Sequence, residues 1–470
     1  MKILRKTISI ALAIGLASCS SSFLDVEPQQ SLSTDMAIGN YSDAVVALHG
    51  VYDALQSTSS YYGRDFFVTA DIAGDDLLVA PENSGRFLQQ FNFTTSPTTG
   101  FVASFWNRAY NAINRANNII NKIDVVTDAS QEEIDDVLGQ ALALRALVHF
   151  DLLRIYAKPY TWENGNSLGV PFMDKAAISS PSRDNVDFVY EKIIQDLNDA
   201  VDLMQESSDK AYISKYVAKA LLARVYLYMG DWENAKDYAI EVIEDGGYEL
   251  VPNSDFISGW KEEFTSESIF SLATSNIDYS ATDAIGYIYL RDGYGDLRPT
   301  DDILNLLAEV GGVREEAFVS YDIIAEDFFV AKFPGRGTPP QAGLDNIPVV
   351  RLAEMYLIAA EALANLEEDG LAQDYLNEIV LRADPSADEI ELEGDELKQR
   401  IYLEKRVEFA FEGHRLFDIS RRQENLVRGD DCTADVCFLE AKDYRFVFPI
   451  PQRELDANDN MEQNQGYSGS

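Results

Sequence analysis

A pair of helices that recurs along the chain is the feature that most restricts its possible folds. Residues 214–230 carry apolar side chains at the spacing of one helix face. These side chains are Val217, Leu221, Val225 and Tyr228. Gly230 and Asp231 break this pattern, and a second helical pattern follows as far as Gly246. Two helices within about 34 residues are typical of a tetratricopeptide repeat. One such pair cannot bury its own apolar face, so several pairs must stack.

Three further helix pairs are predicted from looser versions of the same pattern. They are residues 351–383, residues 139–156 with residues 187–204, and residues 105–123 with residues 396–412. The predicted fold is therefore mainly α-helical, with about four tetratricopeptide-like helix pairs that form a right-handed scaffold.

Four long segments between the helix pairs lack sustained periodicity. They are residues 57–100, 158–184, 249–299 and 313–348. They are rich in Gly, Ser, Asn, Asp, Pro and aromatic residues, which predicts irregular loops that contain short strands or helices. Loops of this length are uncommon in a compact domain unless they have a function.

The first residues of the chain have the pattern of a lipoprotein signal. A short positive region precedes an apolar stretch, residues 7–17, that is too short to remain in a bilayer as a spanning helix. A lipobox ends at Cys19, and several acyl chains on this residue would anchor the protein stably. The alternative is an ordinary secretory signal followed by an incidental cysteine. The predicted domains are a removed signal peptide (residues 1–18), a lipidated tether and N-terminal segment (residues 19–30) and a single body (residues 31–470).

The net charge of the chain limits the classes of molecule that it is expected to bind. The formal net charge is −41. Because so negative a surface repels nucleic acid and anionic lipid headgroups, neither is expected as a partner. The charge also disfavours heavily sulfated or uronate-rich ligands, unless a local basic patch reverses the field.

The sequence has no pattern that indicates catalysis or a metal site. The three histidines, His49, His149 and His414, lie in helix-like segments without a second histidine four residues away. Asp75 and Asp76 resemble the carboxylate pair of a glycosidase, but such pairs arise by chance among 79 acidic residues. We predict a binding protein that is not an enzyme and that has no cofactor and no metal.

Two cysteines other than Cys19 lie close together in an Asp-rich loop. Cys432 and Cys437 are five residues apart. In an oxidising envelope compartment this spacing favours a small-loop disulfide. A zinc site is disfavoured because the spacing is unusual and no histidine is near in sequence.

Short motifs occur in a fixed order over the whole chain. The earlier ones are Phe23-Leu24-Asp25-Val26-Glu27-Pro28-Gln29, Trp106-Asn107, Arg115-Ala116-Asn117, Ala143-Leu144-Arg145-Ala146 and Gly169-Val170-Pro171. The later ones are Arg351-Leu352-Ala353-Glu354-Met355-Tyr356-Leu357, Glu404-Lys405-Arg406-Val407-Glu408-Phe409, Glu412-Gly413-His414-Arg415 and Gln463-Asn464-Gln465-Gly466-Tyr467. In this order they resemble the SusD/RagB family of outer-membrane nutrient-uptake lipoproteins.

The resemblance implies a lipoprotein on the extracellular side of the outer membrane that covers a SusC-like TonB-dependent transporter. Such proteins capture glycans, or in some members peptides, and deliver them to the transporter. The expected partners are therefore this transporter, an oligosaccharide or polysaccharide, and outer-membrane lipid through Cys19. The alternatives are a peptide-binding member, a scaffold for protein assembly in the envelope, and a surface hydrolase.

Charged residues in the helical motifs are expected to belong to the scaffold. Glu412, His414 and Arg415 lie within two helical turns of Asp418, a combination that also occurs in catalytic sites. The resemblance and the need of buried charges for partners favour a buried ion and hydrogen-bond network instead. The same interpretation applies to Arg145, Arg351 and Glu361.

Aromatic residues in the irregular segments are the candidates for ligand contact. A sugar ring has apolar C–H faces and hydroxyl edges, so its site needs exposed flat rings beside hydrogen-bonding side chains. The aromatic candidates are Tyr61, Tyr62, Trp162, Trp260, Tyr287, Tyr289 and Tyr294, and the hydrogen-bonding candidates are Asp75, Asn92 and Arg291. Trp106 and Trp232 lie at repeat positions and are expected in the core.

Overall fold

The computed structural model describes residues 38–177 and 179–467. The predictions for residues 1–18, for Cys19 and for residues 19–30 fall outside these ranges. Within them, no helix is both long and apolar enough to cross a membrane.

Helices dominate the described part of the chain, and short strands lie between them. In chain order the helices are α1 (Tyr41–Leu55), α2 (Asp65–Ile72), α3 (Leu88–Phe91), α4 (Gly100–Ile120), α5 (Gln131–Tyr156), α6 (Tyr160–Glu163), α7 (Val186–Leu203), α8 (Lys215–Met229), α9 (Trp232–Asp245), α10 (Phe256–Gly259), α11 (Ile285–Tyr289), α12 (Asp301–Val310), α13 (Val313–Phe318), α14 (Leu352–Asn365), α15 (Asp369–Ala383), α16 (Gly394–Glu408), α17 (Arg415–Arg421) and α18 (Gln452–Ala457). The strands are β1 (Leu77–Val79), β2 (Ser268–Leu272), β3 (Leu297–Pro299), β4 (Val319–Asp322), β5 (Asp327–Val330), β6 (Ile347–Arg351), β7 (Leu426–Val427) and β8 (Phe438–Leu439). The prediction of a mainly α-helical fold is confirmed.

The long helices form a continuous stack. In spatial order the contacts run through α1, α4, α5, α7, α8, α9, α14 and α15. Three of the predicted pairs are present as packed neighbours, namely α8 with α9, α14 with α15, and α5 with α7. The stack is thus consistent with tetratricopeptide-like pairs, while the handedness of the scaffold stays a prediction.

The fourth predicted pair, residues 105–123 with residues 396–412, is wrong. Helix α4 packs against α1 and α5, whereas α16 packs against α14, α15 and α12. The reason is that α1, which the sequence reading did not identify, supplies the partner of α4. Its residues Ala44, Leu48, Val51 and Leu55 form a buried stripe at helical spacing.

The pair α8 and α9 shows how local sequence determines these units. Gly230 ends α8 with a φ of 76°, a left-handed conformation that glycine adopts without a steric penalty. The side chain of Asp231 then accepts a hydrogen bond from the backbone N–H of Asn234 and caps α9. Helix α8 packs on both sides, and its apolar side chains Val217, Leu221 and Val225 are buried.

Two-stranded antiparallel sheets join the irregular segments to one another. Strand β1 pairs with β3, so that Val79 lies opposite Leu297, and β2 pairs with β6. Strands β4 and β5 form a hairpin in which Asp322 lies opposite Asp327. The prediction that the long loops contain short strands and helices is therefore confirmed.

A buried ion network ties the carboxyl-terminal helices to these segments. The Arg351 guanidinium lies 2.7 Å from a Glu267 carboxylate oxygen and 2.6 Å from one of Glu408. Arg382 contacts the same two carboxylates at 2.9 Å and 2.6 Å. Glu412 also accepts from Arg351, so both belong to the scaffold as predicted. The network makes this part of the core depend on matched charges as well as on apolar packing.

The other expected scaffold residues are buried in similar ion pairs. Arg145 makes two hydrogen bonds of 2.7 Å to Asp196, and Arg421 makes two of 2.6 and 2.7 Å to Glu361.

Burial lowers the pKa of two of the histidines. His149 accepts a hydrogen bond from the backbone N–H of Met173, and burial lowers its pKa to about 3. Burial likewise lowers the pKa of His414 to about 4. Both histidines are therefore neutral near pH 7.

The β7–β8 hairpin contains the two cysteines of the Asp-rich loop. Cys432 and Cys437 are joined in a disulfide, with an S–S distance of 2.09 Å. Asn92 accepts a hydrogen bond from the backbone N–H of Asp435 in the same loop. Across the described ranges, no group of three His, Cys, Asp or Glu side chains is arranged to hold a metal ion.

Candidate functional site

Four of the candidate ligand residues are part of the core. Tyr61, Tyr62 and Tyr289 are at most 1% exposed, and Asp75 is 5% exposed. Tyr61 stacks on Tyr62 with ring centroids 4.7 Å apart and donates a hydrogen bond to Asp151. These aromatic side chains hold the loops against the scaffold, so the prediction that they contact ligand is corrected.

Asp75 is an ion-pair partner within the scaffold. Arg415 donates to both of its carboxylate oxygens, and Arg406 lies 3.6 Å away. Burial alone would raise the pKa of Asp75, but the two guanidinium groups hold it below its usual value. The carboxylate is thus ionised, fully used and unavailable to a ligand. Asn92 is half-buried and holds the disulfide loop, so it is also a structural residue.

Trp260 lies beside the ion network rather than on an open surface. Its ring is edge-on to Phe318, with centroids 5.7 Å apart, and the Lys332 ammonium lies 4.9 Å from its centre. The adjoining cavity measures about 80 Å³. That volume is far below the roughly 300–1,000 Å³ of small-molecule sites and suits a few water molecules. Trp260 is half-buried beside this small cavity, and contact between Trp260 and a saccharide stays a prediction.

Three of the candidates do come together at the surface. Tyr287 and Tyr294 lie with ring centroids 5.9 Å apart, and Arg291 follows in the same loop, 3.4 Å from Asp322. The Arg86 guanidinium lies 4.3 Å from the centre of the Tyr294 ring. We refer to Arg86, Tyr287, Arg291, Tyr294 and Asp322 together as the tyrosine surface. Tyr294 is 39% exposed and Tyr287 is half-buried. Tyr321 does not belong to this surface, because it points to the opposite face of the β4–β5 hairpin from Asp322 and contacts Phe328.

A tight turn positions Tyr287 and Tyr294. Helix α11 ends at Tyr289, and the backbone N–H of Tyr294 donates to the carbonyl of Tyr287 across the turn. Gly293 is required there, because a Cβ at this position would overlap the Tyr287 carbonyl. The backbone N–H of Asp296 then donates to the carbonyl of Ile288 and returns the chain to strand β3.

Asp296 ties a second loop to the turn. Its carboxylate accepts from the backbone N–H of Ser84 at 2.9 Å and from the Ser84 hydroxyl at 2.6 Å. Arg86 donates to the same carboxylate at 3.2 Å. The side chain of Asp296 is almost wholly buried, whereas that of Arg86 is 30% exposed. The guanidinium is thus held against Tyr294 with part of its edge free to bind a ligand.

Arg298 joins the turn to the β4–β5 hairpin. Its guanidinium lies 3.8 Å from the centre of the Phe329 ring and 3.3 Å from the Asp327 carboxylate. It also donates to Glu82, in the loop that carries Arg86. One buried cation therefore fixes the three segments that carry the side chains of the tyrosine surface.

The tyrosine surface has the chemistry that a saccharide requires. Its exposed rings offer flat apolar faces, and the guanidinium groups of Arg86 and Arg291 donate hydrogen bonds in the plane of hydroxyl edges. Each guanidinium is paired with one carboxylate, Arg86 with Asp296 and Arg291 with Asp322. This pairing of charges suits a neutral sugar.

Trp162 lies at a different surface. It lines an open groove of about 620 Å³, together with Lys158, Glu163, Lys442, Tyr444 and Gln465 among others. None of these residues contributes to the tyrosine surface. The candidates therefore divide between two separate sites and the core.

Sequence reasoning missed Arg86 and Asp322. Both lie in segments without periodicity, where alternation does not indicate which side chains face outward. A weak signal for the hairpin existed, because the pattern Tyr321-Asp322 continues into Ile323 and Ile324, a short apolar run between acidic residues. In the structure these isoleucines are exposed at the hairpin tip, at 82% and 86%.

Known proteins share this sequence and this architecture. Residues 328–467 match the SusD family, and residues 22–227 match a family described as starch-binding and associating with the outer membrane. The SusD-like protein P2 of Formosa agariphila is 28% identical, over 97% of this chain and 98% of its own. A crystal structure of a SusD superfamily protein from Bacteroides vulgatus is 32% identical, with a TM-score of 0.85 over 92% of this chain and 100% of that chain. A laminarin-binding SusD-like protein is 25% identical, with a TM-score of 0.75 over 92% of this chain and 100% of that chain.

Proposed function

This chain belongs to the SusD family, and on that premise we propose that it binds an oligosaccharide at the tyrosine surface and delivers it to an outer-membrane transporter. The family is one of binding proteins rather than enzymes, so no catalytic step is assigned. The observation that carries the proposal is the outward position of Tyr294, with Tyr287 and Arg86 held beside it.

The proposed contact is stacking of sugar rings on tyrosine, supplemented by hydrogen bonds to hydroxyl groups. Each hydroxyl exchanges water for protein at little net gain, so the affinity of one site is modest. The turn and the Asp296 carboxylate hold the side chains in place before the ligand arrives, which lowers the ordering cost of binding. Because a relative of similar fold binds laminarin, laminarin and starch are the first ligands to test.

We further propose that Cys19 anchors the mature protein on the extracellular face of the outer membrane, where it covers a SusC-like TonB-dependent transporter. The lipobox supports the anchor, and the family description of association with the outer membrane supports the location. Cys19→Ala is expected to move the protein from the membrane fraction to the soluble fraction of cell extracts. Co-purification of the wild-type protein with a transporter tests the partnership.

The binding test uses the chain from residue 20 onward in affinity electrophoresis and calorimetry, against neutral polysaccharides, acidic polysaccharides and peptides. Retardation by one glycan without its degradation is expected. Tyr287→Ala and Tyr294→Ala should each weaken that binding about tenfold, since each loses one stacking contact of about 1–2 kcal/mol. Phe188→Ala is the matched control, because Phe188 is an equally exposed ring on helix α7.

The outcomes separate the alternatives within the family. Equal glycan affinity in both tyrosine variants and in the control would remove the tyrosine surface from the proposal. Binding of peptides without any glycan would instead favour a peptide-binding member. Release of sugars from the polysaccharide by the purified protein would contradict the assignment as a binding protein.

A further inference from the structure

The groove that contains Trp162 has fixed walls. Helix α6 forms one wall, where the indole N–H of Trp162 donates to the carbonyl of Ser420 at 2.7 Å. The Thr161 hydroxyl donates to the carbonyl of Arg421 at 2.6 Å, and the Gln423 amide donates to the Thr161 carbonyl. The ring of Trp162 is thereby tied to the end of α17 and does not need to be ordered by a ligand.

Tyr444 forms the opposite wall. One face of its ring lies on the backbone of Gly466, where a Cβ would overlap the ring and where φ is 94°. Tyr467 packs edge-on against it, with centroids 5.2 Å apart. The side chain remains 44% exposed, so its other face is open. Between the walls lies Asn464, whose amide is fixed by the carbonyls of Tyr156 and Phe448.

The groove carries a positive charge on a strongly acidic protein. Lys158 is paired with Glu163 at 2.5 Å, which leaves Lys442 as the charge in excess. Lys442 is exposed and forms no ion pair within residues 38–177 and 179–467. The neighbouring Arg445 and Asp443 neutralise each other at 2.8 Å. The residues that line the groove therefore carry one positive charge in excess, on a chain whose formal net charge is −41.

We propose that this groove is a second saccharide site and that it accepts an acidic sugar unit. Two fixed aromatic rings provide stacking surfaces, and the exposed amide of Gln465 is available to hydroxyl groups. Lys442 faces the carboxylate or sulfate of the sugar as a point charge. The volume of about 620 Å³ is in the range of small-molecule sites and admits a short oligosaccharide. The proposal concerns a different surface and a different ligand class from the tyrosine surface.

The experiment follows the four tryptophans by fluorine NMR in protein labelled with fluorotryptophan, with Trp162→Phe used only to assign the Trp162 signal. The probes are glucuronate, galacturonate and glucose 6-sulfate, and the neutral controls are glucose and galactose. The acidic probes are expected to move the Trp162 signal at concentrations at which the neutral sugars do not. Added NaCl should weaken this response, because it screens exposed charges.

Variants assign the response to the groove. Lys442→Gln should weaken binding of the acidic probes threefold to fivefold, as expected for one exposed charge contact. Tyr444→Ala should weaken it further, and thermal unfolding of each variant checks that the protein stays folded. Lys442 is exposed and Tyr444 is 44% exposed. Tyr294→Ala, in the tyrosine surface, should leave the Trp162 response unchanged, so failure of one site is distinguishable from failure of the other.

Three outcomes would overturn the proposal. The first is a Trp162 signal that none of the acidic probes moves in the folded wild-type protein. The second is an equal response to neutral and acidic sugars. The third is unchanged affinity for the acidic probes in Lys442→Gln and in the charge-reversed Lys442→Glu.

Discussion

Arg351 and Glu412 form a two-point ion pair in the core, with Nε 2.9 Å and Nη2 2.8 Å from the two carboxylate oxygens. Both side chains are almost wholly buried, and the Lys332 ammonium lies 2.6 Å from the same carboxylate. Glu412→Gln removes the charge that two buried cations share. We expect it to lower the free energy of unfolding by about 3–5 kcal/mol, measured by urea denaturation.

Arg291→Gln is the control for Glu412→Gln. Arg291 also faces a carboxylate, that of Asp322, but its side chain is 43% exposed. Its loss should change the free energy of unfolding by less than about 1 kcal/mol. Equal effects of the two substitutions would show that burial does not decide the contribution of these ion pairs.

Asp296→Asn tests whether preorganisation supports the tyrosine surface. The substitution places an amide group where the carboxylate now accepts from Ser84 and Arg86. We expect a loss of about 1–3 kcal/mol in stability and a several-fold weaker affinity for the glycan, because Arg86 is no longer held. Calorimetry and thermal unfolding of the same sample measure both. Asp322→Asn, at a more exposed position, should have the smaller effect on stability, and full glycan affinity in Asp296→Asn would contradict the prediction.

Asp345 gives the stability of the protein a pH dependence. Burial raises its pKa from 3.8 to about 7, against the opposing effects of the Gly335 N–H and Arg336. Between these two pH values the folded state keeps a proton that the unfolded state releases. The contribution of this group therefore falls as pH rises from about 4 to about 7. Asp345→Asn should consequently stabilise the protein more at pH 8 than at pH 5.

Urea denaturation of the wild-type protein and of Asp345→Asn at pH 5 and at pH 8 measures this gain in stability. The Oδ1 position, which accepts from Gly335 at 2.7 Å, is an oxygen in both side chains, so the substitution preserves this contact. A gain that is the same at pH 5 and pH 8 would indicate that Asp345 does not titrate in this range.

The disulfide is expected to stabilise the protein only modestly. Cys432 and Cys437 close a loop of five residues, and so short a loop restricts the unfolded chain by only about 2 kcal/mol. Replacing both cysteines with serine should lower the free energy of unfolding by about that amount and leave glycan binding unchanged. A larger loss, or weaker binding, would show that the loop also positions Asn92 and the segment around it.

The repeat helices were predictable because their apolar residues recur at a fixed period. Val217, Leu221 and Val225 are buried as their spacing predicts. The error in the fourth pair has the same origin, since α1 was not recognised and α4 was given a distant partner. Pairing between helices far apart in sequence depends on complementary shape, which a periodic pattern does not record.

The candidate site was only partly predictable from the sequence. Aromatic residues in irregular segments either pack in the core or lie at the surface. Tyr62 and Tyr294 occur in segments of similar composition, yet the first is 1% and the second 39% exposed. The difference comes from tertiary contacts: Tyr62 packs against Tyr61 and Phe66, whereas Tyr294 packs over Arg86 at the surface. No local rule separates these two environments, so composition does not indicate which rings are buried and which are exposed.

The network around Glu267 and Glu408 has an evolutionary consequence. Tandem helical repeats usually lengthen and shorten freely, because each unit contacts only its neighbours. Here Arg351 and Arg382 bridge the carboxylate of Glu267, just before β2, and that of Glu408, at the end of α16. More than one helix pair separates these two carboxylates along the chain. Duplication or deletion of a helix pair between these two carboxylates would leave a buried charge without its ion-pair partner. We therefore expect natural variants of this protein to differ in their loops and to keep a constant number of helices.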